Sequence, residues 1–233
     1  MANNFYNAVR RNVSNDSTQP TEVYKVPDTK KAILIELDVA NKSSAGVTVT
    51  VQMLDESQNQ TYDTTGTTTN GNASAISAVT TGTSGLFTTT SSAAHNLIVN
   101  DRVSFTASSA PSFTNASLPA SGDTALSIDA GSGSRFYYVQ AIPSTSTFKI
   151  AETKDASAAL TFDNAGNSVK MVKVFLADIV KDAPVPVGGS LKVISGQKLV
   201  IESTHANVND KIYVYASAAN AVDAIASVLQ EVS

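Results

Sequence analysis

A strict two-residue alternation sets the terms for this chain. In Ala32-Ile-Leu-Ile-Glu-Leu-Asp-Val39, Ile33, Ile35, Leu37 and Val39 fall on one side of an extended backbone, and Leu34, Glu36 and Asp38 on the other. In Val47-Thr-Val-Thr-Val51 the β-branched residues alternate just as regularly. Successive side chains of a strand point to opposite faces, so a period of two marks a half-buried strand rather than a helix. Pro27-Asp28 before the first run and Asn41 to Gly46 after it are turn-forming residues. The short gap between the two runs predicts an antiparallel hairpin.

Further strands are predicted at 102–106, 136–142, 147–150, 191–194, 198–202 and 211–216 from their β-branched and aromatic content. Residues 222–229 fit either period, and in a chain otherwise built of strands the strand is preferred. The middle of the chain has a different character. Residues 61–90 hold 12 Thr, and 64–100 hold no Asp, Glu, Lys or Arg. An extended entry near 61–75 is expected, followed by a separate unit. Residues 107–134, rich in Ser, Ala, Gly and Pro, read as one long loop. From 169 the apolar, Lys-spaced character of the first part returns.

The predicted fold is therefore all-β. An antiparallel, jelly-roll-like β-sandwich is formed by 21–75 plus 169–233, with a small β-domain of 76–168 inserted. Loop-closure cost grows slowly with length, so an insert of this size is tolerated. Residues 1–20 are polar with no clear period, and read as an N-terminal arm that docks on a neighbouring subunit or as a mobile terminus. Asn3, Asn4, Asn7, Arg10 and Arg11 break up any apolar run of a secretory signal, so use without export by that route is expected.

Composition narrows the function. Ser and Thr together make 54 of 233 residues, while 15% are charged. No apolar stretch is long enough for a membrane span. A net charge of −4 with scattered basic residues argues against nucleic acid as a partner. The absence of Cys removes disulfides, thiolate metal sites and cysteine nucleophiles.

The remaining catalytic templates fail on residue type. His95 lies in an uncharged stretch and reads as the opening of a turn; His205 reads as part of a surface loop. Neither has the setting of a Ser-His-Asp triad. Gly188-Gly-Ser-Leu-Lys192 lacks phosphate-loop spacing and reads as a turn. Asn207-Val-Asn-Asp210 offers oxygen ligands, but a hairpin turn accounts for it better than calcium. Asp55 and Glu56 point to opposite faces of an extended chain and make a poor acid–base couple. Phe136, Tyr137, Tyr138, Tyr213 and Tyr215 are candidate stacking platforms for a host glycan, or cross-strand packing. No catalytic, cofactor-binding or metal residue is assigned, no cofactor is expected, and a non-enzymatic protein is predicted.

Several segments carry a resemblance. Asn7-Ala-Val9, Val23-Tyr-Lys-Val-Pro27, Lys31-Ala-Ile-Leu-Ile35 and Val39-Ala-Asn-Lys-Ser-Ser44 resemble virion structural proteins of tailed bacteriophages, marine and cyanobacterial ones especially. Val180-Lys-Asp-Ala-Pro-Val-Pro-Val-Gly-Gly-Ser-Leu191, Gly196-Gln-Lys-Leu-Val-Ile-Glu202 and Ala218-Ala-Asn-Ala-Val-Asp223 extend it, so that it covers about 5–55 and 176–232. His95-Asn-Leu, Asn100-Asp-Arg-Val103, Tyr137-Tyr-Val and Thr147-Phe-Lys-Ile150 are similar to a small β-module embedded in phage capsid and tail proteins. The resemblance implies a virion protein assembled in the host cytoplasm, most simply a head decoration or cement protein bound to the major capsid protein. A neck or tail adaptor, or a fibre-associated protein, is the alternative. Uncharged Thr-rich strand edges further predict a homo-oligomer, preferably a trimer, with 64–100 as buried inter-subunit surface.

Overall fold

The computed structural model describes residues 3–55, 74–89, 95–114, 122–128, 135–196, 198–205 and 208–231. Every regular helix-or-strand element among the described residues is a strand. In chain order, β1 (Asn3–Arg10), β2 (Thr21–Lys25), β3 (Lys31–Asn41) and β4 (Val47–Leu54) come first. Then follow β5 (Ser74–Val79), β6 (Phe87–Thr89), β7 (Arg102–Thr106), β8 (Ser112–Phe113), β9 (Tyr137–Ser144), β10 (Thr147–Ala151), β11 (Phe162–Asn164) and β12 (Lys170–Val174). Last come β13 (Leu176–Val185), β14 (Ser190–Ile194), β15 (Leu199–His205), β16 (Val208–Asn209), β17 (Lys211–Ala216) and β18 (Val222–Glu231). The chain divides into two units, 1–58 with 175–233, and 59–174.

The first unit is an antiparallel sandwich. One sheet has the order β1-β18-β3-β15-β16, with β14 also on β3; the other has the order β13-β4-β17-β2. Between them lie Leu34, Leu37, Val39, Val49, Val51, Ile212, Val214, Ala224 and Val228, all essentially without solvent exposure. At about 25 cal/mol per Å² of apolar area, this continuous core is the main source of the unit's stability.

Two expectations change here. β3 and β4 do not form a hairpin, because they lie in different sheets. Asn41, 3% exposed, sits at the corner between them. Its side-chain amide reaches the carbonyls of Ala45, Val185 and Pro186 at 2.8–3.1 Å, and its Oδ1 accepts from Ser43 N–H at 2.9 Å. The corner is thus an arch that carries the chain from one sheet to the other. The alternation of β3 also slips. Leu34, Leu37 and Val39 are buried while Ile33 and Ile35 are only half-buried. The pairing with β18 shifts between Ser227 opposite Glu36 and Val228 opposite Leu34. One extra residue in a strand turns every later side chain to the other face.

Residues 3–10 are not a separate arm. They form β1, which pairs with β18 in eight unbroken steps from Asn3 opposite Glu231 to Arg10 opposite Ala224. Val13 is fully buried, and its N–H donates to Val222 O at 3.0 Å.

The second unit is built round a closed barrel, β10-β6-β5-β12-β7-β9. Phe87 is fully buried, its ring centroid 5.0 Å from Phe105, 5.2 Å from Phe148 and 5.3 Å from Phe162. Each such pair adds about 0.5–1.5 kcal/mol beyond its area. β12 closes the ring through β7 and β5. The returning apolar segment therefore splits at 174, not 168: its first part belongs to the barrel. Part of 107–134 is fastened as well. β8 pairs with β11, Leu126 is 2% exposed, and Ser127 N–H donates to the Tyr137 hydroxyl at 2.8 Å.

Leu54, the last residue of β4, lies directly opposite Leu176, the first of β13. Opposed residues of an antiparallel pair are about 5 Å apart, so a tight turn can join them. The barrel thus occupies the place of a hairpin loop. Removing 56–174 and closing the gap with a short Gly/Asn turn should leave a soluble sandwich that unfolds cooperatively in urea. Removing 76–168 instead should strand β12, expose Met171 and Val174, and give an aggregating product. A non-cooperative urea transition in the first variant would contradict independent cores.

Candidate functional site

The residues singled out by sequence are mostly absorbed by the fold. His95 is 2% exposed. Its Nδ1 accepts the Leu97 N–H at 3.0 Å, so Nε2 carries the proton. Nε2 lies 3.1 Å from Ser144 O and 3.2 Å from Thr147 O, and the ring meets Phe148 edge-on at 5.7 Å. Both nitrogens are engaged by backbone, so His95 ties the 95–97 segment to the β9–β10 turn. His205 closes β15, opposite Val208, instead of standing in a loop.

Gly188 has φ 65° and Gly189 N–H donates to Pro186 O, so that stretch is the turn into β14. Asn209 is fully buried, with its amide donating to Val26 O at 2.9 Å, Asp28 Oδ1 at 2.7 Å and Ser203 Oγ at 3.1 Å. Asp210 Oδ2 accepts the Glu202 N–H at 2.9 Å. These oxygens and amides hold β15, β16 and the turn after β2 together. Asn207 and Glu56 lie outside the described residues; Asp55 follows the last residue of β4.

The aromatic candidates face inward. Phe136, Tyr137, Tyr138 and Tyr213 are each below a tenth exposed, and Tyr215 is half-buried. Burial pushes the Tyr137 phenol up to about 12, so it stays neutral at physiological pH. Beside it Arg135, 5% exposed, meets Glu152 at 3.0 Å and Asp123 at 3.1 Å. This cluster fixes the 122–128 segment on the barrel. Its signal in the sequence, one Arg between two distant carboxylates, is too sparse to read without the fold.

What the fold exposes is a line of apolar side chains. On the solvent face of the first unit's larger sheet, Phe5 stands opposite Leu229, Leu229 opposite Ile33, and Ile33 opposite Val200. Phe5 is 79% and Val200 58% exposed. A second pair on the same face, Val9 opposite Ile225, is 46% and 45% exposed. The intervening row, Asn7 opposite Ser227 opposite Glu36, is polar, and Glu36 is bridged by Lys192 at 2.6 Å. Side by side apolar groups of this kind mark an interaction surface more often than isolated ones.

This surface ends at an open strand edge. β1 is the outermost strand of its sheet. The other edges of the sandwich are blunted. β2 carries Glu22 and Lys25, β13 carries Asp178, Lys181, Asp182 and Pro184 with two register shifts, β14, paired with β3 alone among the described residues, carries Lys192 and a register shift, and β16 has two residues. Charge, proline, irregularity and shortness are the usual protections against unwanted pairing. β1 has none of them between Asn3 and Val9.

No protein family, curated protein or solved structure matches the chain.

The His95 clamp predicts a stability cost. His95→Ala leaves the buried Leu97 N–H without its acceptor, at about 1–3 kcal/mol, and removes the donor shared by the part-buried carbonyls of Ser144 and Thr147. Urea denaturation should show the loss, and an unchanged midpoint would contradict the clamp.

Proposed function

We propose that the chain is a non-enzymatic structural protein of a tailed-phage virion, which decorates or cements the head by binding a shell of major capsid protein. The observation that carries this reading is where the resemblance falls. The stretches that resemble phage virion proteins, 5–55 and 176–232, are the two halves of one structural unit. The stretch that resembles an embedded phage β-module, 95–150, falls inside the other. A likeness that follows fold boundaries has the form expected of two inherited modules. The exposed apolar line and open edge on the sandwich add a surface suited to assembly.

Placement at a neck or tail, as an adaptor or fibre-associated protein, is the second reading, because the same surface serves any repeated contact. The host-glycan reading loses its stacking platforms, since four of its five aromatics are buried. Self-association remains part of the proposal, on a different surface. Of the 64–100 run expected as inter-subunit surface, 64–73 and 90–94 lie outside the described residues. Thr89 is 7% exposed within β6, and its hydroxyl lies 3.3 Å from Ser146 O. Residues 74–79 and 87–89 already have barrel partners, so their edges need no subunit to cover them.

Immunogold labelling of purified tailed-phage particles from the source lysate tests the proposal. Label spread over heads, with a copy number in step with the shell protein, is the expected result. Label confined to one end would support the neck or tail reading, and unlabelled particles would overturn both.

A further inference from the structure

We infer that β1 is a homotypic docking edge: two copies of this chain pair through antiparallel β1 strands about a twofold axis at Asn7, joining their larger sheets into one. The inference stands on the geometry of β1 and holds whether or not the virion reading does.

The edge asks for a strand. β1 has eight residues, and among the described residues β18 is its one ladder partner. A strand paired on one side presents about half its N–H and C=O groups outward. Residues 4–7, 9 and 10 are all exposed, an unusual openness for a strand bound so regularly on its other side. An added strand satisfies that edge through its backbone, and the side chains then choose the occupant.

The side chains of β1 choose β1 itself. An antiparallel pair places residues directly opposite only when both point to the same face. Around Asn7, this sets Asn7 against Asn7 of the second copy, Phe5 against Val9, Tyr6 against Ala8, and Asn4 against Arg10. Each aromatic ring meets a smaller apolar side chain, and amide meets amide. No like charges meet, because Arg10 is the one charged residue in the strand.

The same register lengthens the apolar line. Within one copy it runs Val200, Ile33, Leu229, Phe5. Across the axis it continues with Val9 and Ile225 of the second copy, which are themselves neighbours. By symmetry the line forms twice. A shift of one pairing step either way around Tyr6 or Ala8 sets Phe5 against Asn7, or moves it beyond the overlap. The apolar match thus selects one register. Antiparallel self-pairing is twofold by construction, so a dimer replaces the threefold arrangement expected from the Thr-rich run.

The chain has no Cys, which makes a direct test clean. In Asn7→Cys the two introduced sulfurs face each other across the axis. Directly opposed Cα atoms in a β pair are about 4.5–5.5 Å apart, within the span a disulfide closes. The expected result in the full chain is a mass of twice 24.2 kDa by light scattering at micromolar concentration. Mild oxidation should convert most of Asn7→Cys to a covalent dimer, and only a trace of Val200→Cys, which is exposed but far from the axis. Val9→Lys, on an exposed position, should return the protein to monomer mass while it still unfolds cooperatively in urea, at a midpoint lowered only by the loss of association. If Val9→Lys fails to fold, the cysteine pair decides the question alone. A monomer at all concentrations would overturn the inference and leave the edge to a strand from another protein. A trimer mass, or equal cross-linking at positions 7 and 200, would overturn it too.

Discussion

Three backbone carbonyls converge on the amide of Asn41, and the architecture of the sandwich turns on that corner. An asparagine amide offers two donors and its oxygen two acceptor sites. Here they are spent on Ala45, Val185, Pro186 and Ser43. The bonds hold the end of β3 against the end of β13 and the start of β4. With the corner fixed, β3 passes into one sheet and β4 into the other, and the aliphatic faces of both turn towards a shared core. Val39 and Val49 lie on either side of that corner, and both are fully buried. A buried amide network repays its desolvation only when every member is satisfied, so the corner tolerates few alternatives.

The barrel follows from a second constraint, at the far end of β4. Because Leu54 and Leu176 are opposed, everything between them enters and leaves through one point of the sandwich. Such an insert must bury its own apolar surface, which Phe87, stacked with Phe105 and Phe148 and met edge-on by Phe162, accomplishes. Closure of the ring gives every strand two partners and leaves no edge to guard. The sandwich is not closed, and its protections are spread unevenly: charge and proline on β13, charge on β2, and nothing on β1 before Arg10. The surface chemistry of the unit is organised by that unevenness.

The alternating runs of β3, β4, β17 and β18 were legible in the sequence because each carries several aliphatic or β-branched residues with period two. The pairing of β3 was not, since a gap of five or six residues suits an arch as well as a hairpin. Only the contacts of the Asn41 side chain separate the two. The burial phase of β3 was hidden by a bulge near Ile35, where Leu34 and Leu37 both turn inward. β1 escaped notice because Asn4 and Asn7 dilute its alternation, which becomes meaningful only beside β18. The β12 boundary was obscured by continuous apolar character through 169–180, within which strand and sheet change at Phe175. His95 and Asn209 show the same limit. A polar residue's type suggests chemistry, but its neighbours, distant in sequence, assign both to the fold's internal bonding.

The account rests most heavily on β1 being an edge built to be paired. Amide hydrogen exchange of the full chain, followed residue by residue at rising protein concentration, tests this without any substitution. The account predicts that protection within residues 4–10 rises with concentration, while amides of β3 and β17 in the core stay equally protected throughout. Fast exchange at the outward-facing amides of β1 at every concentration would contradict it.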